Sequence, residues 1–133
     1  MEQVTEVFTY KSITIEEDYG SIEGFAVSTN EENVFIFLEG EDYLEEWGEL
    51  SKNQRVAVVK NFYVEEEERG NGYGTELLDA FLSEADFHDV DKVILIADMT
   101  ENNQMNLMEW YQNRDFQVIS NKNSNYPLMG YTF

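Results

Sequence analysis

The stretch 61–82, Asn-Phe-Tyr-Val-Glu-Glu-Glu-Glu-Arg-Gly-Asn-Gly-Tyr-Gly-Thr-Glu-Leu-Leu-Asp-Ala-Phe-Leu, constrains this chain more than any other. An apolar run ends at Val64, glycines stand at 70, 72 and 74, and Leu77, Leu78, Phe81 and Leu82 recur at helical spacing. A strand that turns through glycines into a helix aims bare backbone N–H groups and a helix N-terminus at an anion such as phosphate. Glycine there removes the Cβ atoms that would hold a ligand away. The segment is not a P-loop, because the Lys-Ser/Thr ending is missing. Nor is it a dinucleotide loop, because no acidic residue stands suitably on a second βαβ strand.

A second pattern lies downstream. Residues 92–97 form a short apolar run, and after 101–109 come Trp110, Tyr111 and, past Gln-Asn-Arg-Asp, Phe116. Together the two patterns resemble the GNAT superfamily of N-acetyltransferases over residues 56–119. That family's acyl-CoA loop reads Arg or Gln, two residues, Gly, one residue, Gly or Ala, and here Arg69, Gly70, Asn71, Gly72, Tyr73 and Gly74 fit it. Val64 matches the end of the family's fourth strand, and Thr75 to Leu78 match the start of its third helix. Trp110, Tyr111 and Phe116 match the later aromatic-Tyr pair and Phe. Two positions depart: Asp115 replaces the usual Gly, and Gln104 the usual helix-starting Asn, for which Asn103 is one place off. Asp tolerates left-handed backbone better than most residues.

The resemblance implies an α/β (α+β) fold, with a mixed, mostly antiparallel central sheet, flanking helices, and fourth and fifth strands that splay apart. It implies acetyl-CoA as cosubstrate. The backbone of Phe62, Tyr63 and Val64 would hold the pantetheine arm, and backbone N–H groups from Arg69 to Thr75 would hold the pyrophosphate, with Asn103 as a further contact. Tyr111 would be the general acid that protonates the departing thiolate, a transfer suited to a phenol. The general base is open: Glu39, Glu41 and Asp98 stand at strand ends. Arg114 and Lys122 are cations for the CoA 3′-phosphate, although nothing in the sequence places them. Trp110, Phe81 and Phe116 read as core.

Charge narrows the partners. The chain has 28 acids against eight bases, a formal −20; residues 1–50 hold 14 acids and one base, Lys11. Such a chain repels nucleic acid and anionic membranes at long range and attracts cations. The acceptor is therefore read as a primary amine on a basic protein, a polyamine or an aminoglycoside. The run Glu65 to Glu68 leads into the anion loop, and at ~8 Å in water each charge pair costs only ~0.5 kcal/mol. A charge-assisted hydrogen bond to phosphate contributes ~1.5–3 kcal/mol, so the run weakens CoA binding without abolishing it.

At 133 residues the chain is read as one domain, 1–133, able to bury ~65–70% of its unfolded surface. Without cysteine, and with His88 as its one histidine, it offers no Cys-based metal site, His-triad zinc site, disulfide framework or thiolate nucleophile, and no metal is expected. No signal-peptide pattern opens it and no apolar run approaches ~18 residues, so it is read as cytoplasmic and not membrane-spanning. Strands are expected over 4–15, 20–28, 34–38, 56–64, 92–97, 116–120 and 128–133, with a first hairpin turning at 29–33. Helices are expected over 41–50, 75–87 and 103–113. Residues 15–24 are too few for the two helices that the family places between its first strands, so this region is shortened unless 41–50 does part of the work. Two rivals stay open: an inactive GNAT-fold acidic protein that sequesters a basic partner or mimics nucleic acid, and a CoA-binding regulatory domain without turnover. A homodimer is compatible with the resemblance, and nothing in the sequence decides it.

Overall fold

The structure, a computed structural model, describes residues 10–27, 43–50, 55–100 and 106–133. The strand expected at 34–38, most of the 4–10 run, the 29–33 turn and Asn103 lie outside them. The first described hairpin joins β1 (Tyr10–Glu17) to β2 (Gly20–Val27) through Asp18 and Tyr19, with Glu17 opposite Gly20. A two-residue turn leaves no room for helices between these strands.

Helix α1 (Leu44–Leu50) follows β2. Trp47 and the preceding Tyr43 pack on one face of the sheet with Phe25, Val56, Val58, Ile94 and Leu128. Lys122 Nζ lies 3.3 Å from the Glu46 carboxylate and ties the far end of the chain to this helix.

β3 (Val56–Val64) follows α1. It is buried only from Val56 to Val59, and exposure rises from Lys60 onward. The cause lies in the pairing with β2: Gly24 is opposite Val59 and Glu23 opposite Asn61, which leaves Lys60 as an extra residue. Such a bulge bends and twists its strand. A Cβ on Gly24 would lie 1.8 Å from the Val58 carbonyl oxygen, so only glycine permits this approach.

A 3₁₀ turn (Glu66–Glu68) and the glycine loop lead into α2 (Tyr73–Phe87). Leu77, Leu78, Phe81 and Ala85 are buried against the face of β1, β2 and β3 opposite α1. Burying each large apolar side chain contributes ~1.5–3 kcal/mol, which outweighs the modest helix propensity of the two aromatic ends. β4 (Lys92–Ile96), α3 (Leu107–Gln112), β5 (Gln117–Ser120) and β6 (Leu128–Thr132) complete the described chain.

The described strands form one sheet in the order β1-β2-β3-β4-β6-β5. All neighbours are antiparallel except β3 and β4. Those two are hydrogen-bonded only where Val56 to Val58 meet Lys92 to Ile94. Past that point they part, and among the described residues the edge of β3 away from β2 has no strand partner there. This is the mixed, mostly antiparallel sheet with splayed central strands that the resemblance implied.

Candidate functional site

The splay opens into a cleft of about 660 Å³. One wall is the second half of β3, including Phe62, Tyr63 and Val64, and the other is the end of β4 with Leu95, Ile96, Ala97 and Asp98. The glycine loop and the first turn of α2 close one end, and Trp110, Tyr111 and Arg114 stand over it from α3 and the turn after it. Of the anticipated site residues, Phe62, Tyr63, Val64, Arg69, Gly70, Gly72, Tyr73, Gly74, Thr75 and Tyr111 line this cleft. Asn71 does not: its Nδ2 donates to the Glu68 carbonyl at 3.2 Å and braces the loop from outside.

The glycines do different work. Gly70 and Gly72 hold φ of 90° and 85°, which L side chains rarely adopt, and a Cβ at either would meet nothing within 4 Å. Open space therefore remains beside both, in the cleft that they line. At Gly74 a Cβ would come within 3.3 Å of the Trp110 ring, so this glycine admits a neighbour and not a ligand. Gly72 is the N-cap of α2 and offers no side-chain acceptor. The first intrahelical bond runs from Glu76 N–H to the Gly72 carbonyl at 3.1 Å. The N–H groups of Tyr73, Gly74 and Thr75 therefore lack intrahelical acceptors and sit at the positive end of the helix dipole.

Arg69 departs from expectation. Its backbone N–H is taken by the Glu66 carbonyl at 3.3 Å, because the 3₁₀ turn closes on it. Its side chain folds back, with Nε donating to the Val64 carbonyl at 2.9 Å and the guanidinium 6.0 Å from the Tyr63 ring centre. Arg69 thus fastens the loop to β3, and the open backbone donors begin after it. Tyr73 stacks on Tyr19 at 3.9 Å, which ties the β1–β2 turn to the start of α2. Of the glutamate run, only Glu68 lines the cleft. Glu65 accepts from the Tyr63 hydroxyl at 3.2 Å.

α3 is capped by Asn106, whose side chain accepts from Glu109 N–H at 3.1 Å. The pattern Asn-x-x-Glu was present in the sequence and marks such a cap. Tyr111 is 6% exposed, held edge-on by Trp110 and tilted against Phe116, at ring-centre distances of 5.2 and 5.4 Å. Burial pushes its phenol well above the ordinary tyrosine value, so it is protonated throughout the neutral range. Trp110, which the sequence pattern assigns to the core, is half-buried and part of the cleft wall, while Phe81 and Phe116 are core. Arg114 lies over the Trp110 ring at 3.7 Å and donates to Thr75 Oγ1, a placement that sequence spacing does not signal.

Of the three candidate bases, Glu39 and Glu41 lie outside the described residues. Asp98 lines the cleft, half-buried at the end of β4. Its Oδ1 accepts from both the backbone N–H of Thr100 at 2.9 Å and its hydroxyl. No described residue of α1 lines the cleft, so the described part of this helix does not replace a missing wall.

The family model described as Acetyltransferase (GNAT) family matches residues 5–116. Among solved structures, the chain resembles the PaiA N-acetyltransferase of Thermoplasma acidophilum in complex with coenzyme A, with a TM-score of 0.61 and 12% identity over 92% of this chain. It spans 62% of that protein's length. An acetyltransferase from Bacillus cereus matches with a TM-score of 0.55 and 12% identity, over 100% of this chain and 79% of its own. The anti-CRISPR protein AcrVA5 matches with a TM-score of 0.56 and 18% identity, over 92% of this chain and 99% of its own. At such identities the likeness is one of fold. Among curated proteins, no sequence matches the chain.

Proposed function

The chain belongs to the GNAT acetyltransferase family, and from that premise we propose that it transfers an acetyl group from acetyl-CoA to a primary amine on a cationic acceptor. The observation that carries this reading is the cleft itself, where unpaired β3 backbone, open N–H groups at the start of α2 and a buried tyrosine meet. The space over Gly70 and Gly72 suits the pyrophosphate, and the free edge of β3 at Phe62 to Val64 suits the amide-bearing pantetheine arm. Acetyl-CoA supplies an activated acyl thioester.

The chain's own groups then handle protons. The acceptor ammonium gives one proton to Asp98 through water, and its nitrogen forms the new N–C bond as the C–S bond breaks. The departing thiolate takes the proton of Tyr111, and the second amine proton, passed through solvent, restores the phenol. The net charge of −20 favours a polyamine, an aminoglycoside or a Lys-rich protein as the acceptor. No helix of the described residues is long and apolar enough to cross a membrane.

Calorimetric titration with acetyl-CoA tests the donor half, followed by turnover with spermidine, kanamycin and a histone-tail peptide. Binding with turnover of at least one amine is expected. Binding without turnover of any amine would leave a regulatory CoA-binding domain, and no heat at millimolar acetyl-CoA would overturn the reading in favour of an acidic binding protein.

A further inference from the structure

Arg114 comes three residues after Tyr111, in the turn that leaves α3. Its backbone N–H donates to the Tyr111 carbonyl at 2.9 Å, and its Nη1 donates to the Trp110 carbonyl at 2.9 Å. The guanidinium carbon lies over the Trp110 ring, 3.7 Å from its centre. From there Nε and Nη2 reach the same atom, Thr75 Oγ1, at 3.0 and 2.8 Å. The two residues are 39 positions apart in the chain, and both line the cleft.

A threonine hydroxyl has two acceptor lone pairs and one hydrogen to donate. Arg114 fills both lone pairs, so the hydroxyl at Thr75 has only its hydrogen left to use. Thr75 is the third residue of α2, beside backbone N–H groups that have no intrahelical acceptor. Arg114 itself uses three of its five N–H donors and keeps its charge beside them. A site with donors only is matched by a ligand with acceptors only, which phosphate oxygens are.

Resting on the donor reading above, we propose that Thr75 donates its hydroxyl hydrogen to a phosphate of the acyl donor, and that Arg114 is the positioning residue that forces it to donate. The pair would make this enzyme select phosphate-bearing thioesters over the bare pantetheine thioester. Arg114 thereby supplies the side-chain help that Arg69, folded back onto β3, does not.

The test compares acetyl-CoA with S-acetyl-pantetheine, which has the same reacting end and no phosphate, on the full chain. T75V, close in shape, should weaken acetyl-CoA binding by about 10- to 100-fold, the usual range for a hydrogen bond to a charged group. Any loss in kcat/KM for S-acetyl-pantetheine should be smaller by about fivefold or more, and T75S should restore acetyl-CoA affinity to within about threefold. R114K, which keeps the charge and loses the two-pronged grip, should weaken acetyl-CoA binding in the wild type and add nothing in the T75V background. T75V binding acetyl-CoA as well as the wild type would overturn the proposal. Equal losses with both donors would also overturn it, since that marks a structural contact; T75A stands in should T75V not fold. A wild type that ignores acetyl-CoA would instead overturn the donor reading, and the pair's role with it.

Discussion

Gly72 offers the cleanest separation of fold from site. Its φ of 85° is left-handed, yet a Cβ there would meet nothing within 4 Å, so substitution is penalised by backbone strain and not by collision. That strain is ~1–2 kcal/mol, and it is shared by G72A, G72Q and G72E. On a chain this size each should lose roughly 3–8 °C in thermal unfolding and still fold. Against acetyl-CoA the three should diverge. The glutamate carboxylate would stand within ~4 Å of the pyrophosphate, where one charge pair is worth ~1 kcal/mol in bulk water and ~4 kcal/mol near a protein surface. G72E should therefore bind acetyl-CoA about fivefold to several hundred-fold more weakly than G72Q, which has the same reach and no charge. Titration calorimetry at 0.1 and 1 M salt reads the difference, and the gap should narrow at high salt as the Debye length falls from ~10 to ~3 Å. If folded G72E binds within threefold of G72Q, the pyrophosphate does not lie on this loop.

Y111F should lower kcat by ~10²–10⁴ with little change in acetyl-CoA affinity, and unchanged turnover would remove Tyr111 from the chemistry. The same residue sets an alkaline limit. Because burial raises its folded pKa, the folded state keeps a proton that the unfolded chain gives up above pH ~10. Its contribution is thus complete below that pH and falls by up to ~1.4 kcal/mol per unit above it, a slope that urea titrations of Y111F at pH 9–11 should lack. D98N should reduce kcat/KM for the amine by at least about tenfold at unchanged acetyl-CoA affinity; no change in either would return the base to Glu39 or Glu41. Asp115 holds φ of 71°, so D115G should raise stability by up to ~1 kcal/mol, read as a higher melting temperature; a lower one would show that the Asp side chain contributes to the turn.

What could be read from sequence was what local spacing controls. The loop at 69–74 and the apolar stripe of α2 need only neighbouring residues, and both sit where expected. The Asp115 turn follows from one backbone torsion. The bulge at Lys60 depends on how β2 registers against β3, and hydrophobic pattern alone cannot show which residue is the extra one. The hairpin at Asp18 and Tyr19 was missed because neither residue belongs to the Asn-Gly or Asp-Gly pairs that announce tight hairpins. Trp110 looked like core because an aromatic on a helix stripe has the same signature whether it meets a strand or a ligand. The grip of Arg114 on Thr75 joins the turn after α3 to the first turn of α2, 39 positions apart, so no short sequence window contains it.

The acidic run beside the proposed anion site is the feature that sequence alone left in tension, and the geometry bears on it. Glu66 to Glu68 wind into a 3₁₀ turn, and only Glu68 of the run reaches the cleft wall. Among the described residues that wall carries Lys60, Arg69 and Arg114 against Glu68 and Asp98, three cations to two acids in a chain of net charge −20. The two scales act on different partners. Beyond the Debye length only the diffuse field counts, and it is weakly negative, so it gathers a polycation and slows an anion's approach. At contact, hydrogen bonds donated to the proposed phosphate would outweigh screened charges several ångströms further off. Raising salt should therefore weaken the acceptor's KM more than the donor's, the reverse of what a basic binding cleft on a neutral protein would give.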